Sequence, residues 1–182
     1  MLYNKHNLAV AKIAAKDGHR DEIKGVFFTK DKTVATDSFR LLEIDIPKND
    51  NPPEWAEKSM RGIKPFIVGA EMLKDKIKLG NEDLVAIKHV HDNRVEFLVG
   101  EDILPIMRID GKYPDYESIF PRMGCLASIK INAKYLAETL EILGKLGGTT
   151  SEVTMKVFNN KMVVIEAGTL NQKGRGVVMG MQ

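Results

Sequence analysis

The sequence predicts an α+β fold built from a repeated β-α-β-β-β unit, with its helices on one face of antiparallel sheets. Three observations predict it. Stretches with helical periodicity alternate with stretches of two-residue periodicity. Each helical stretch is followed by strand-like runs divided by short polar turns. That order returns through the chain at roughly 60-residue spacing, the mark of an internal repeat. A single unit covers a sheet face with one helix and buries little. Two units side by side place two helices on a continuous sheet, a stable two-layer domain.

The elements follow in order. Residues 7–16 read as a short helix with Asn7 as its N-cap and Gly18 at its C-terminus. Its buried stripe is either Leu8, Ala11 and Ala15 or Val10, Ile13 and Ala14. Residues 23–29 and 33–35 read as strands around Lys30-Asp31-Lys32, and 41–46 as a half-buried strand ended by Pro47. Residues 48–64, rich in Pro, Asn and charge, connect two modules, with a short helix at 54–60 and Trp55 packed on a neighbour. The second module has a strand at 66–68 and a helix at 70–78 with Met72, Leu73 and Ile77 on one side. Strands at 84–90 and 94–99 pair around His91-Asp92-Asn93, and 103–109 closes the sheet. In the third module 128–131 is a strand, and Asn132 caps a helix over 133–146 with Leu136, Leu140 and Leu143 as its stripe. Gly147-Gly148 stops that helix. Strands at 153–158, 162–167 and 176–181 complete the unit, the first two joined by an Asn159-Asn160 turn.

Composition narrows the class. At 182 residues, 43% hydrophobic and 29% charged, the chain has ordinary globular composition and can bury a real core. Cys125 is the one cysteine, which excludes an intrachain disulfide and points to a reducing compartment. No apolar run has the length of a membrane span, and residues 1–6 form no signal peptide, so a cytoplasmic protein is expected. The net charge is only +2, from 27 basic and 25 acidic residues. Any contact with nucleic acid must therefore come from lysines and arginines concentrated on one face.

Between the second and third modules runs Arg108-Ile109-Asp110-Gly111-Lys112-Tyr113-Pro114-Asp115-Tyr116-Glu117-Ser118-Ile119-Phe120-Pro121. It is a strand end, an Asp-Gly turn and an extended stretch, with Pro114 and Pro121 each biasing the preceding residue away from the helical region. Read on its own residues it is an interdomain linker with aromatic faces to bury. The run from Asp110 to Pro121 resembles the connector of bacterial DNA sliding clamps, the β subunit of DNA polymerase III, approximately D-G-[KR]-[FY]-P-D-Y-x-x-[VIL]-[IL]-P. Upstream, Val34-Ala35-Thr36-Asp37-Ser38-Phe39-Arg40-Leu41 resembles the A-T-D-[GS]-x-R-L loop of the same family. The two motifs stand in the family's order; together they are specific, and either alone is weak.

The resemblance implies a DNA-clamp fold, in which each domain is a pair of units, the helices line a central hole and the sheets form the rim. It makes residues 1–121 similar to the family's middle domain, with units 1–47 and 64–121, and residues 122–182 similar to the last half of its final domain. A full clamp subunit has three domains and closes as a dimer, so the odd third unit is a departure. An unpaired half-domain exposes apolar surface. Self-association through the third units of two chains is expected, giving a dimer or, from two dimers, a closed tetramer. The implied function is that of a polymerase processivity factor: a homo-oligomeric ring around double-stranded DNA, held non-specifically, that tethers polymerase through a peptide-binding groove. A reading of another class is a clamp-like adaptor or decoy that keeps the groove and closes no ring.

Candidate DNA-facing residues are Lys12, Lys16 and Arg20 on or after the first helix, Lys74, Lys76 and Lys78 on the second, and Lys134 and Lys145 on the third. Mobile lysines attract phosphate without reading bases; the alternative is a solvated helix face, and Glu138 and Glu141 dilute the charge of the third helix. Such contacts give dissociation constants of only ~10⁻⁴ to 10⁻⁶ M at physiological salt, so retention would need ring topology. The resemblance places peptides of DNA polymerase and the clamp loader on Thr36, Ser38, Phe39, Arg40 and Leu41 of the loop, Pro121 of the connector, and Val177 and Met179 of the last strand. Val177 is alternatively a core residue. Leu, Val, Pro and Met make an adaptable apolar slot, and burying two anchors offers ~3–6 kcal/mol before ordering costs. Phe39 stands where the family commonly has His, and the sequence stops at Gln182 where the family commonly ends in Met-x-Leu.

Catalysis is not expected. No glycine-rich nucleotide loop is present; Asp37, Asp110 and Asp115 lie at turns, and Cys125 has no His at a catalytic spacing. His89 and His91 share one strand face as either a metal pair or a surface pair, with no third ligand close in sequence. No cofactor, metal site or membrane partner is expected.

Overall fold

Asn4 both ends the first strand, β1 (Leu2–Asn4), and starts the helix that follows, α1 (Lys5–Ala9). Its carboxamide oxygen accepts from the backbone N–H groups of His6 and Asn7 at 2.9 and 3.2 Å, while Asn7 Oδ1 accepts from the Asn4 N–H at 3.2 Å. This reciprocal cap settles the helix start. Asn7 is therefore not the cap that the sequence predicts; it is buried inside the first turn, where its Nδ2 donates to the carbonyls of Ile44 and Asp45. The helix passes into a 3-10 turn at Val10–Lys12 and ends well before Gly18.

The computed structural model describes residues 2–47, 64–80, 84–121, 124–125, 127–146, 150–158, 161–169 and 172–181. The expected helix at 54–60, Trp55, Gly147-Gly148 and the Asn159-Asn160 turn lie outside them. The chain divides into two units, Met1–Phe120 and Pro121–Gln182.

In the first unit β2 (Gly25–Phe28), β3 (Lys32–Thr36) and β4 (Leu41–Asp45) follow α1. Then come β5 (Phe66–Gly69), α2 (Ala70–Lys76), β6 (Leu84–Val90), β7 (Arg94–Val99) and β8 (Asp102–Ile109). These are two β-α-β-β-β halves, yet the sheet order is β1-β6-β7-β8-β5-β2-β3-β4. The leading strand of each half has crossed to the other: β1 pairs with β6, Tyr3 opposite Val85, and β5 with β2, Val68 opposite Val26. All the pairings are antiparallel.

Both helices lie on one face of this sheet. Leu8, Val10, Ala11, Leu73 and Ile77 cover Val26, Phe28, Val85, Ile87, Phe97 and Ile106 in one core. Phe28 is its hub, with ring centroids 5.2 Å from Tyr3, 5.1 Å from Phe66 and 5.7 Å from Phe97.

On the opposite face the connector lies down against the sheet. Gly111 turns the chain with φ +131°, a conformation that L side chains rarely adopt, and this favours glycine there. Tyr113 then stacks on Phe27 at 4.7 Å, and Tyr116 meets the same ring edge-on at 6.2 Å, with Val34 and Ile67 beneath. A 3-10 turn at Glu117–Ile119 ends the segment. Burial raises the Tyr113 phenol above its ordinary pKa, partly offset by the nearby Thr36 backbone, and the hydroxyl makes no well-formed hydrogen bond. Removing a buried, poorly bonded polar group relieves its desolvation. Tyr113→Phe should therefore leave stability unchanged or raise it by up to about 1 kcal/mol in urea unfolding.

The second unit has one helix, α3 (Ala133–Leu146), and a sheet of β9 (Thr154–Val157), β10 (Met162–Gly168) and β11 (Lys173–Met179) in the order β11-β10-β9. Asn132 caps α3 as the sequence predicts, accepting from the Lys134 N–H at 3.0 Å. Leu136, Leu140 and Leu143 rest on Val163, Ile165 and Val178. The helix approaches so closely that a Cβ on Gly176 would meet Thr139 Cγ2 at 2.8 Å. The strand expected at 128–131 contributes only a bridge, Ile131 to Gly180, and the Met181 N–H donates to the Lys130 carbonyl at 2.8 Å. Among the described residues no helix is long and apolar enough to cross a membrane.

Candidate functional site

Where α1 and its 3-10 turn run beside α2, a groove of about 630 Å³ opens on the helix face of the first unit. Leu8, Leu73 and Ile77 form its floor, and Lys5, Lys12, Lys74 and Lys78 stand around it. Lysine stems lie along apolar surface and keep the ammonium in water. The Lys78 ammonium donates to the Lys74 carbonyl at 2.6 Å, near the end of α2. Lys12, Lys74 and Lys78 enter no ion pair among the described residues, so their charge is available to an anion.

The other predicted cations are placed differently. Lys16 and Arg20 are exposed on the irregular stretch after the 3-10 turn and do not line the groove. Lys76 turns away to donate to the Pro105 carbonyl of β8 at 2.8 Å. On α3, Lys134 pairs with Glu138 at 4.0 Å and Lys145 with Glu141 at 3.3 Å, one helical turn apart in each case. These exposed pairs are weak in energy, but they leave the helix little local positive field.

The loop joining β3 and β4 is set by Asp37. Its Oδ1 accepts from the N–H groups of Phe39 and Arg40, both at 3.0 Å, and its Oδ2 from Arg40 Nε at 2.9 Å. Partial desolvation pushes the Asp37 carboxyl up, but these donors outweigh it and hold the group below the usual carboxylate range. Ser38 sits at φ +75°, in the left-handed region that glycine adopts without steric cost. The Thr36 hydroxyl donates to the Arg40 carbonyl at 2.8 Å and closes the loop. Leu41 packs inward beside Val34, whereas Phe39 is 97% exposed, an aromatic ring presented wholly to solvent.

In the second unit a slot of about 500 Å³ lies between the start of α3 and the end of β11. Tyr135 and Thr139 form one wall, and Val177, Met179 and Met181 belong to the other. Val178 is the buried residue of that strand and Val177 is exposed, so Val177 is not a core residue. Pro121 is exposed at the start of this unit. Tyr135 and Met181 were not among the predicted groove residues. The two-residue alternation of Val177, Met179 and Met181 was the available signal for Met181. A larger depression of about 790 Å³ at the other end of these strands is bordered by Glu152, Glu166, Lys173 and Arg175, with both charges present.

His91 Nε2 lies 3.2 Å from Glu96 Oε1, an oxygen shared with Arg94, and the His89 ring is 6.0 Å from that of His91. Among the described residues no three His, Cys, Asp or Glu side chains gather as a metal site. Cys125 is exposed, with its Sγ donating to the Ala127 carbonyl.

No family model and no curated protein matches this sequence. Solved structures do. The chain is similar to the DNA polymerase sliding clamp of Bacillus subtilis, with a TM-score of 0.73 and 18% identity over 100% of this chain and 49% of that one. It is similar to a sliding clamp of Pseudomonas aeruginosa, with 0.72 and 18% over 100% and 51%, and to DNA polymerase III subunit beta of Borrelia burgdorferi, with 0.71 and 18% over 98% and 48%. The chain spans about half the length of these solved proteins. Its α+β architecture of curled antiparallel sheets is thus the fold of the bacterial DNA polymerase sliding clamps.

Proposed function

We propose that this chain is a sliding-clamp-like, non-enzymatic processivity factor that closes as a homo-oligomer around duplex DNA and tethers a polymerase. The observation that carries the reading is the lysine-rimmed groove between α1 and α2, on the helix face of a fold shared with polymerase clamps. Lys12, Lys74 and Lys78 supply a positive strip without base-reading groups, which suits sliding. Lys16 and Arg20 add exposed charge outside it, Lys76 contributes less because it is turned toward β8, and Lys134 and Lys145 because each faces a carboxylate. Residues 1–121 act as a full clamp domain and 122–182 as half of one.

Peptides of the polymerase and the clamp loader are assigned, in the first unit, to the Thr36–Leu41 loop with its exposed Phe39 and, in the second unit taken by itself, to Pro121 and the slot of Val177, Met179, Tyr135 and Met181. The expected site of action is the cytoplasm, with no cofactor. The test is retention on DNA. Protein assembled on closed circular plasmid should stay bound through a high-salt wash and be released when the plasmid is cut. Equal loss from circular and linear DNA would rule out encirclement; peptide binding surviving that result would identify a non-encircling adaptor.

A further inference from the structure

Each half of the first unit uses the other half to bury its inner face. Counted from the start of the second strand in each half, Val26 and Phe28 of β2 and Val85 and Ile87 of β6 are all 0 or 1% exposed. The same count along β9 reaches Met155 and Val157. They stand opposite Ile165 and Val163, on the face where the core of the second unit forms, yet they are 46 and 52% exposed.

The strand edges tell the same story. In the first unit Val68 of β5 bonds on one side to Arg108 of its own half and on the other to Val26 of the other half. In the second unit Ile131 occupies the equivalent place, two residues before its helix, and bridges Gly180, just past the end of β11 in its own half. Among the described residues nothing pairs with the outer edge of β9. An apolar edge of this kind is a template for another strand.

We propose that this edge and inner face of β9 take a second copy of the same chain, in a two-fold contact where residues 129–131 of each copy add antiparallel to β9 of the other. The pairing of Tyr3 with Val85 and of Val68 with Val26 sets the register. Ile131 lies opposite the partner's Met155, and Ile129 opposite the partner's Val157. The α3 helices of the two copies then share one sheet, as α1 and α2 do in the first unit. The occupant is a second copy because the unit carries both members of the joint, a leading strand and an open edge, so a two-fold contact uses each once. The charged pairs on α3 are each neutral, so two such helices meet without a like-charge block. The register does set Lys130 opposite the partner's Lys156, a residue already held by Glu166 at 2.6 Å.

This deepens the self-association in the functional reading above and needs neither DNA nor peptide. Light scattering of the full chain should give the mass of a dimer or a multiple of it. Met155→Asp combined with Val157→Asp should abolish the dimer while circular dichroism keeps the helix and strand signal, and Lys130→Glu should tighten it. In a Cys125→Ser background, a short bismaleimide should join chains carrying Ile131→Cys to chains carrying Met155→Cys only when the two are mixed. A monomeric wild-type chain, association that survives the double aspartate variant, or weakening by Lys130→Glu would each overturn the proposal. A dimer that fails to stay on circular DNA removes the ring reading and leaves this interface standing; a monomer retained on circular DNA does the reverse.

Discussion

Replacing Phe28 by alanine should lower the stability of the first unit by about 3–5 kcal/mol, the cost of truncating a fully buried aromatic in a core that relaxes only partly. Phe28 is fully buried and touches rings from both halves: Tyr3 and Phe66 on the two exchanged strands, and Phe97 on β7. A cavity there loosens the joint between the halves. Domains of this size are stable by only about 5–15 kcal/mol, so the loss is a large share of the total. Urea unfolding followed by circular dichroism reads it directly. A change within about 1 kcal/mol, nearer the size expected of a surface substitution, would mean that Phe28 is not the hub of this core.

Why the strands of the first unit were legible while their arrangement was not follows from the range of the forces involved. The runs that became β6, β7 and β8 alternate in polarity and are divided by short polar turns, so local pattern places them within a residue of their observed bounds. β1 is three residues long, too short to alternate. Its existence depends on Val85, which nothing near it in the sequence reveals. The start of α1 was misplaced because Asn4 and Asn7 are the same residue type three apart, and either can cap; the reciprocal bonds decide it. At the sites, Asp37 was legible as a turn residue, but the left-handed Ser38 and the full exposure of Phe39 are consequences of loop closure. Which lysines stay unpaired with a carboxylate and beside the groove was equally out of reach, since Lys76 is drawn away by the Pro105 carbonyl in a distant strand.

The second large effect concerns those unpaired lysines. Changing Lys12, Lys74 and Lys78 together to glutamine should weaken binding to duplex DNA about equally for every sequence. The slope of log affinity against log salt should become shallower by about 2.7, near 0.9 for each phosphate no longer neutralised. Changing Lys134 and Lys145 instead should alter the slope far less, because Glu138 and Glu141 already offset them. Fluorescence anisotropy over a salt series measures both. Equal slopes for the two variants would remove the α1–α2 groove as the DNA-facing surface. All five positions are on the protein surface and outside the buried cores, so the comparison is between folded proteins.

The crossing of β1 to β6 has a consequence for biosynthesis. Tyr3 leaves the ribosome well before Val85, and it cannot find that partner until both hairpins of the intervening chain have been made. Until then the emerging N-terminal half carries an apolar strand with no mate and an incomplete aromatic cluster. Long-range pairings of this sort fold slowly and leave sticky intermediates exposed to neighbours. Chaperone dependence during translation, rather than low final stability, is then the natural weak point of this protein.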